Sequence, residues 1–168
     1  VLELAVRCAL TAQEKNPFGA WRYSPNSRDA DTTVSGTVLM GLLGARNAGI
    51  EIPNEAVDKA LGFFKLNTLQ DGNVSYQPGS SHGDGICRAS IATLVFAVAK
   101  RKDLPEYKAA AGFIRQRIDQ DVTQHAFYTR YYLAQALFQS DIEAWKLWNQ
   151  RVVEKLQKMQ QADGRISS

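Results

Sequence analysis

The chain has 168 residues, 45% of them hydrophobic, with 20 basic against 17 acidic side chains. That is the size of one domain with enough apolar material for a core, and the absence of like-charge runs argues against a nucleic-acid groove or an anionic-lipid patch. No apolar stretch reaches membrane-spanning length, and two cysteines, Cys8 and Cys87, lack CxxC spacing and are too few for a disulfide framework.

Val1 to about Gln13 places Leu2, Val6, Ala9 and Leu10 on one face, the pattern of an amphipathic helix. Asn16-Pro17-Phe18-Gly19 breaks it. A loop carrying Trp21, Tyr23, Asp29 and Asp31 follows, and Asp31 or Thr32 suits the N-cap of the next helix. That helix, Thr33 to about Ala48, has Arg46 as its one charge and is apolar almost all round. Such a helix is expected to be buried on every side. Its glycines, Gly36, Gly41 and Gly44, cost helix propensity and suggest close approach by neighbours.

Ile52-Pro53-Asn54 opens an outer, half-solvated helix over Asn54–Asn67, with a Val57, Ala60, Leu61 and Phe64 stripe. A second glycine-rich loop, from Gln70-Asp71-Gly72 to Gly85, precedes Ile86–Lys100, again nearly all apolar. Leu104-Pro105-Glu106 repeats the earlier proline entrance and leads into an outer helix over Glu106–Asp119. Thr123–Gln139 reads as an aromatic-rich inner helix, and Asp141 caps a last helix with the stripe Trp145, Trp148, Val152, Leu156 and Met159. Gln161-Ala162-Asp163-Gly164 then begins a third glycine-rich loop.

The chain therefore reads as seven helices, outer and inner in alternation, with no convincing strand. A period of about 50 residues is that of a helical-hairpin repeat. Wholly buried inner helices suit an α/α-barrel better than an open solenoid, whose helices normally keep a wet edge. The long loops all join outer to inner helices, so they are expected to gather at one end.

Gln13 … Gly19-Ala20-Trp21, Gln70-Asp71-Gly72 … Tyr76 and Gln161 … Asp163-Gly164 resemble the glutamine–glycine–tryptophan repeat of squalene and oxidosqualene cyclases and of protein prenyltransferase β-subunits. Together with Asp31-Thr32-Thr33 and Ala45-Arg46-Asn47-Ala48-Gly49-Ile50, they look most like uncharacterised bacterial proteins carrying prenyltransferase and squalene oxidase repeats. The resemblance implies an all-α fold, the α/α-toroid of about six hairpins. Residues 1–168 would form a single repeat domain supplying about half of it. The expectation is a fragment of a longer toroid, or one closed by a second chain.

Two functions follow as expectations. In the first, the loop-rich end serves a non-catalytic binding or scaffold domain for an apolar ligand, a peptide or a polysaccharide. In the second, the chain is a cyclase-like or prenyl-transferring enzyme acting on an isoprenoid. Asp29-Ala30-Asp31-Thr32 resembles the Asp-x-Asp-Asp of cyclases that protonate an alkene or epoxide. By that match Asp31 would be the acid and Asp29 its neighbour, a task that needs a carboxylic acid kept protonated by burial. Capping explains the same residues without further assumption. Trp21, Tyr23, Tyr76, Tyr128 and Tyr131 would line the substrate site, with His82 and Asp84 beside them. His82, Asp84 and Cys87, with His125 a conceivable addition, resemble the prenyltransferase zinc ligands in type but not in spacing, so no metal and no cofactor is expected.

Overall fold

A computed structural model describes residues 1–80, 85–120 and 125–166. Among these it contains seven α-helices and no named strand: α1 (Leu2–Lys15), α2 (Thr32–Asn47), α3 (Asn54–Asn67), α4 (Ile86–Val98), α5 (Pro105–Arg115), α6 (Ala126–Ser140) and α7 (Ile142–Met159). The boundaries follow local chemistry. Asp31 accepts from the backbone of Thr33 and Val34 and so starts α2. Pro105 sits in the first turn of α5, where its missing N–H removes no helical bond. Asp141 caps α7 through Ala144 N.

The helices form two rows. α2 packs on α4 and α4 on α6, giving an inner row. The other four cover it: α1 lies on α2, α3 on α2 and α4, α5 on α4 and α6, and α7 on α6. Phe64 of α3 and Phe96 of α4, neither exposed to solvent, meet edge to face at a centroid distance of 6.3 Å in the middle of the core.

Burial on every side holds only from Ala89 to Ala97 of α4, whose Cys87, Arg88 and Val98 are partly exposed. α2 leaves Thr37, Gly41 and Gly44 exposed, and α6 leaves Phe127, Tyr131 and Phe138 exposed. The reason is positional. α4 packs along an inner neighbour on each side, whereas α2 and α6 each pack along α4 and meet one another through the Thr37–Tyr132 hydrogen bond. Composition follows the same order: α4 is the most apolar of the three, and α6 carries Arg130, Gln135 and Gln139. The glycines of α2 divide in the same way. A side chain at Gly36 would collide with Ile91 of α4, so close approach explains this glycine. Gly41 and Gly44 have nothing within 4 Å of the equivalent position, and close packing does not account for them.

The remaining boundary differences are small. α4 stops at Val98 because Lys100 enters the left-handed region (φ 60°), and α5 stops at Arg115 rather than Asp119. α6 starts at Ala126, after His125 in the left-handed region (φ 48°); the expected start at Thr123 lies outside the described residues.

Candidate functional site

The first two long loops are sewn together at the N-terminus of α2. Thr32 N donates to Tyr76 O at 3.0 Å, and Thr32 Oγ1 to Ser75 O at 3.2 Å. Gln13 is buried, and its amide donates to Gly19 O at 2.7 Å and to Ala56 O at 2.8 Å, joining α1, the first loop and α3. Asn16 reaches across the same loop to Ser27 O and Asp29 O.

At the junction lies a polar cluster. Asp31 is wholly buried. Its Oδ1 accepts from Thr33 N (2.9 Å), Val34 N (2.8 Å) and Thr33 Oγ1 (2.6 Å). Its Oδ2 accepts from Arg22 Nη1 (2.7 Å) and the Tyr76 hydroxyl (3.2 Å). Arg22 Nη1 also donates to the Tyr76 hydroxyl at 2.9 Å, and Arg22 Nε lies 3.4 Å from Asp29 Oδ2. Asp29 is the outer member, with a side chain 55% exposed and a further bond from Gln77 Nε2. Burial, reinforced by the nearby Asp31 charge, pushes the Tyr76 phenol above its ordinary value, while Arg22 opposes that rise.

Next to this cluster is a cavity of about 760 Å³. Its wall comes from the N-terminal turns of all three inner helices: Thr33, Val34, Thr37 and Val38 of α2, Ile86, Cys87 and Arg88 of α4, and Tyr128 and Thr129 of α6. Among the described residues, His125, Tyr23 and Tyr76 add to it from outside the helices. Volume and lining are those of a small-molecule or side-chain pocket, apolar with a few hydroxyls, an imidazole and one guanidinium. Thr37 Oγ1 and the Tyr132 hydroxyl share a hydrogen bond of 2.8 Å that ties α2 to α6 beneath it. Partial burial of Tyr128, which stays 41% exposed, and the neighbouring Tyr132 hydroxyl raise its phenol above its ordinary value, while the Thr37 hydroxyl opposes the rise.

Among the residues expected from the sequence, Tyr23, Tyr76 and Tyr128 line this cavity. Asp31 and Asp29 do not: the first faces its own helix N-terminus, and the second faces Arg22 and Gln77. Trp21 is also absent from the wall. It is 4% exposed, with its indole N–H bound to Ala9 O at 2.8 Å and its backbone paired with Ser35 Oγ, so it packs the first loop onto α1 and α2. Tyr131 is 63% exposed and lies outside the cavity, edge-on to Tyr132. His82 and Asp84 lie outside the described residues. Among the described residues no three of His, Cys, Asp and Glu gather as metal ligands, although Cys87 and His125 line the same cavity.

Arg22 is the residue that sequence reasoning passed over. It stood in the motif Gly19-Ala20-Trp21-Arg22-Tyr23, but only the folded contacts with Asp31 and Tyr76 give it a role. Thr37, Val38 and Thr129 had no signal beyond their place in an inner helix. No protein-family model matches the chain, and neither a curated protein nor a solved structure matches it. Among the described residues no helix is long and apolar enough to cross a membrane.

Proposed function

We propose that the chain is a non-catalytic binding domain whose loop-rich end takes an apolar ligand, or the apolar side chains of a peptide, in the cavity beneath Tyr23, Tyr76 and Tyr128. The observation that carries this reading is the position of Asp31. A cyclase acid must present a proton to the substrate. Asp31 instead accepts from five donor atoms, two of them amides of its own helix, and takes no part in the cavity wall. Apolar walls with a hydroxyl rim favour binding an apolar body with its polar end outward. The finer architecture belongs to the same proposal: the two rows of helices are an arc of an α/α-toroid, with the cavity on its inner side. The alternation of rows and the shared end of the first two long loops support it.

Farnesol serves as an apolar probe in a test of this reading. The expected result is saturable binding, read as a rise in unfolding temperature, that Val38→Trp abolishes by filling the cavity while leaving the helical content unchanged. Absence of binding by farnesol and by apolar peptides rejects the reading. Asp31-dependent turnover of an isoprenoid, lost in Asp31→Asn, rejects it in favour of the cyclase-like enzyme.

A further inference from the structure

The loop after α3 and the segment after α7 are built alike. Thr68 pairs with Val74, and Gln160 with Ile166, each as an isolated antiparallel bridge. Leu69 N donates to Asn73 O and Gln161 N to Arg165 O; Gly72 N donates to Leu69 O and Gly164 N to Gln161 O. Asp71 Oδ1 accepts from Asn73 N as Asp163 Oδ1 accepts from Arg165 N. Both glycines are left-handed, at φ 85° and 84°. The surroundings differ. Gly72 is pressed against the backbone of Ala109 in α5, whereas Gly164 has only Gln160 within reach.

In the earlier repeat the copied loop leads to α4, an inner helix seated against α2 and α3. α6 takes the corresponding seat against α4 and α5. The equivalent seat beside α6 and α7 is open and apolar. On α6, Phe127, Tyr131 and Phe138 recur at helical spacing and are 44%, 63% and 54% exposed. On α7, Trp145, Val152 and Leu156 share a face that is only partly covered. Phe138 meets Trp145 edge to face at 5.3 Å, so the two strips flank the groove between the packed helices α6 and α7, and both rings also border a hollow with Met40 of α2 and Leu94 and Val98 of α4. This groove continues the packing interface already formed along α2, α4 and α6.

We propose that this groove is the seat of a further inner-type helix: an apolar α-helix resembling α4, lying beside α6 and running parallel to it. A second copy of the chain fits less well. It would have to bring its own α1 alongside the α2 that entered the groove, and α7 already occupies the outer position there. The recognition is helix-in-groove, with aromatic side chains of α6 as anchors.

A copy of residues 75–98 placed directly after Ile166, the residue in Val74's place, tests the seat within the intact chain. The expected result is a rise in the unfolding midpoint of about 5 °C or more, with tryptophan emission shifted to the blue as Trp145 is covered. Tyr131→Asp removes that gain, yet lowers the midpoint of the unextended chain by no more than about 2 °C, as an exposed position should. Three outcomes overturn the proposal: an unchanged midpoint on extension, a gain that survives Tyr131→Asp, or a dimer of the unextended chain, seen by light scattering, that Tyr131→Asp dissolves.

Discussion

Arg22 and Asp31 form the centre of the loop junction, and their energetics differ from those of a surface pair. The Asp31 side chain is fully buried and that of Arg22 is 25% exposed. Removing the carboxylate strands two helix amides and leaves a guanidinium without its charge partner. Asp31→Ala is therefore expected to lower stability by about 3 kcal/mol in urea unfolding, within the range for a lost cap plus a broken buried pair. Asp31→Asn keeps the cap and should lose roughly half as much. The phenols supply a pH prediction. Tyr76 and Tyr107 are both held above their ordinary value, chiefly by burial. Their folded-state pKa is raised, so the unfolded chain releases these protons first as pH climbs. Stability from this source is whole below about pH 10 and declines above it. Urea midpoints between pH 9 and 11 should fall, and Tyr107→Phe should flatten the fall; an unaltered slope would reject the assignment.

Among the elements, α2 separates two uses of glycine in one helix. Gly36 receives Ile91, so Gly36→Ala should destabilise by overpacking, about 1–3 kcal/mol. Gly44 faces open space in a helical conformation, and Gly44→Ala should stabilise by about 0.5–1 kcal/mol, because alanine loses less backbone entropy on folding. Thermal unfolding of the two variants gives opposite signs if these environments are right. α7 depends on Asp141 at its start, which caps the helix through Oδ1 and pairs with Arg115 of α5 through Oδ2. One side chain thus joins two outer helices as well as starting one of them.

The whole molecule is organised around α4, which touches α2, α3, α5 and α6. Its Phe96 is fully buried and packs on Phe64. Phe96→Ala removes a fully buried ring from the core, with an expected cost of about 3–5 kcal/mol. For a chain of this size that lowers the melting temperature by roughly 10 °C. Calorimetry would record it, and a loss below about 1 kcal/mol would contradict the central role of α4, since truncations at poorly packed sites cost no more than that.

The seven helices, their caps at Asp31 and Asp141 and the proline entrances at Pro53 and Pro105 were all legible in the sequence. They rest on interactions within a few residues of each other: periodic apolar stripes, side chains bonding the next amides, and a fixed proline φ. The candidate site was legible in part. Tyr23, Tyr76 and Tyr128 reach the cavity as expected, while Arg22, Thr37 and Val38 acquire their roles through contacts distant in the chain. Asp31 carried a capping signal and an acid-like motif in the same residues. Its five donors, Tyr76 among them, came into view only with the fold. Burial of the inner helices was legible in degree only. α4 is the most apolar of the three and is the most enclosed, with an inner neighbour on each side, whereas α2 and α6 are less apolar and each leave a face to water. Local bonding and periodicity determine what each segment becomes, and long-range packing determines which of its faces meet water, a cavity or another helix.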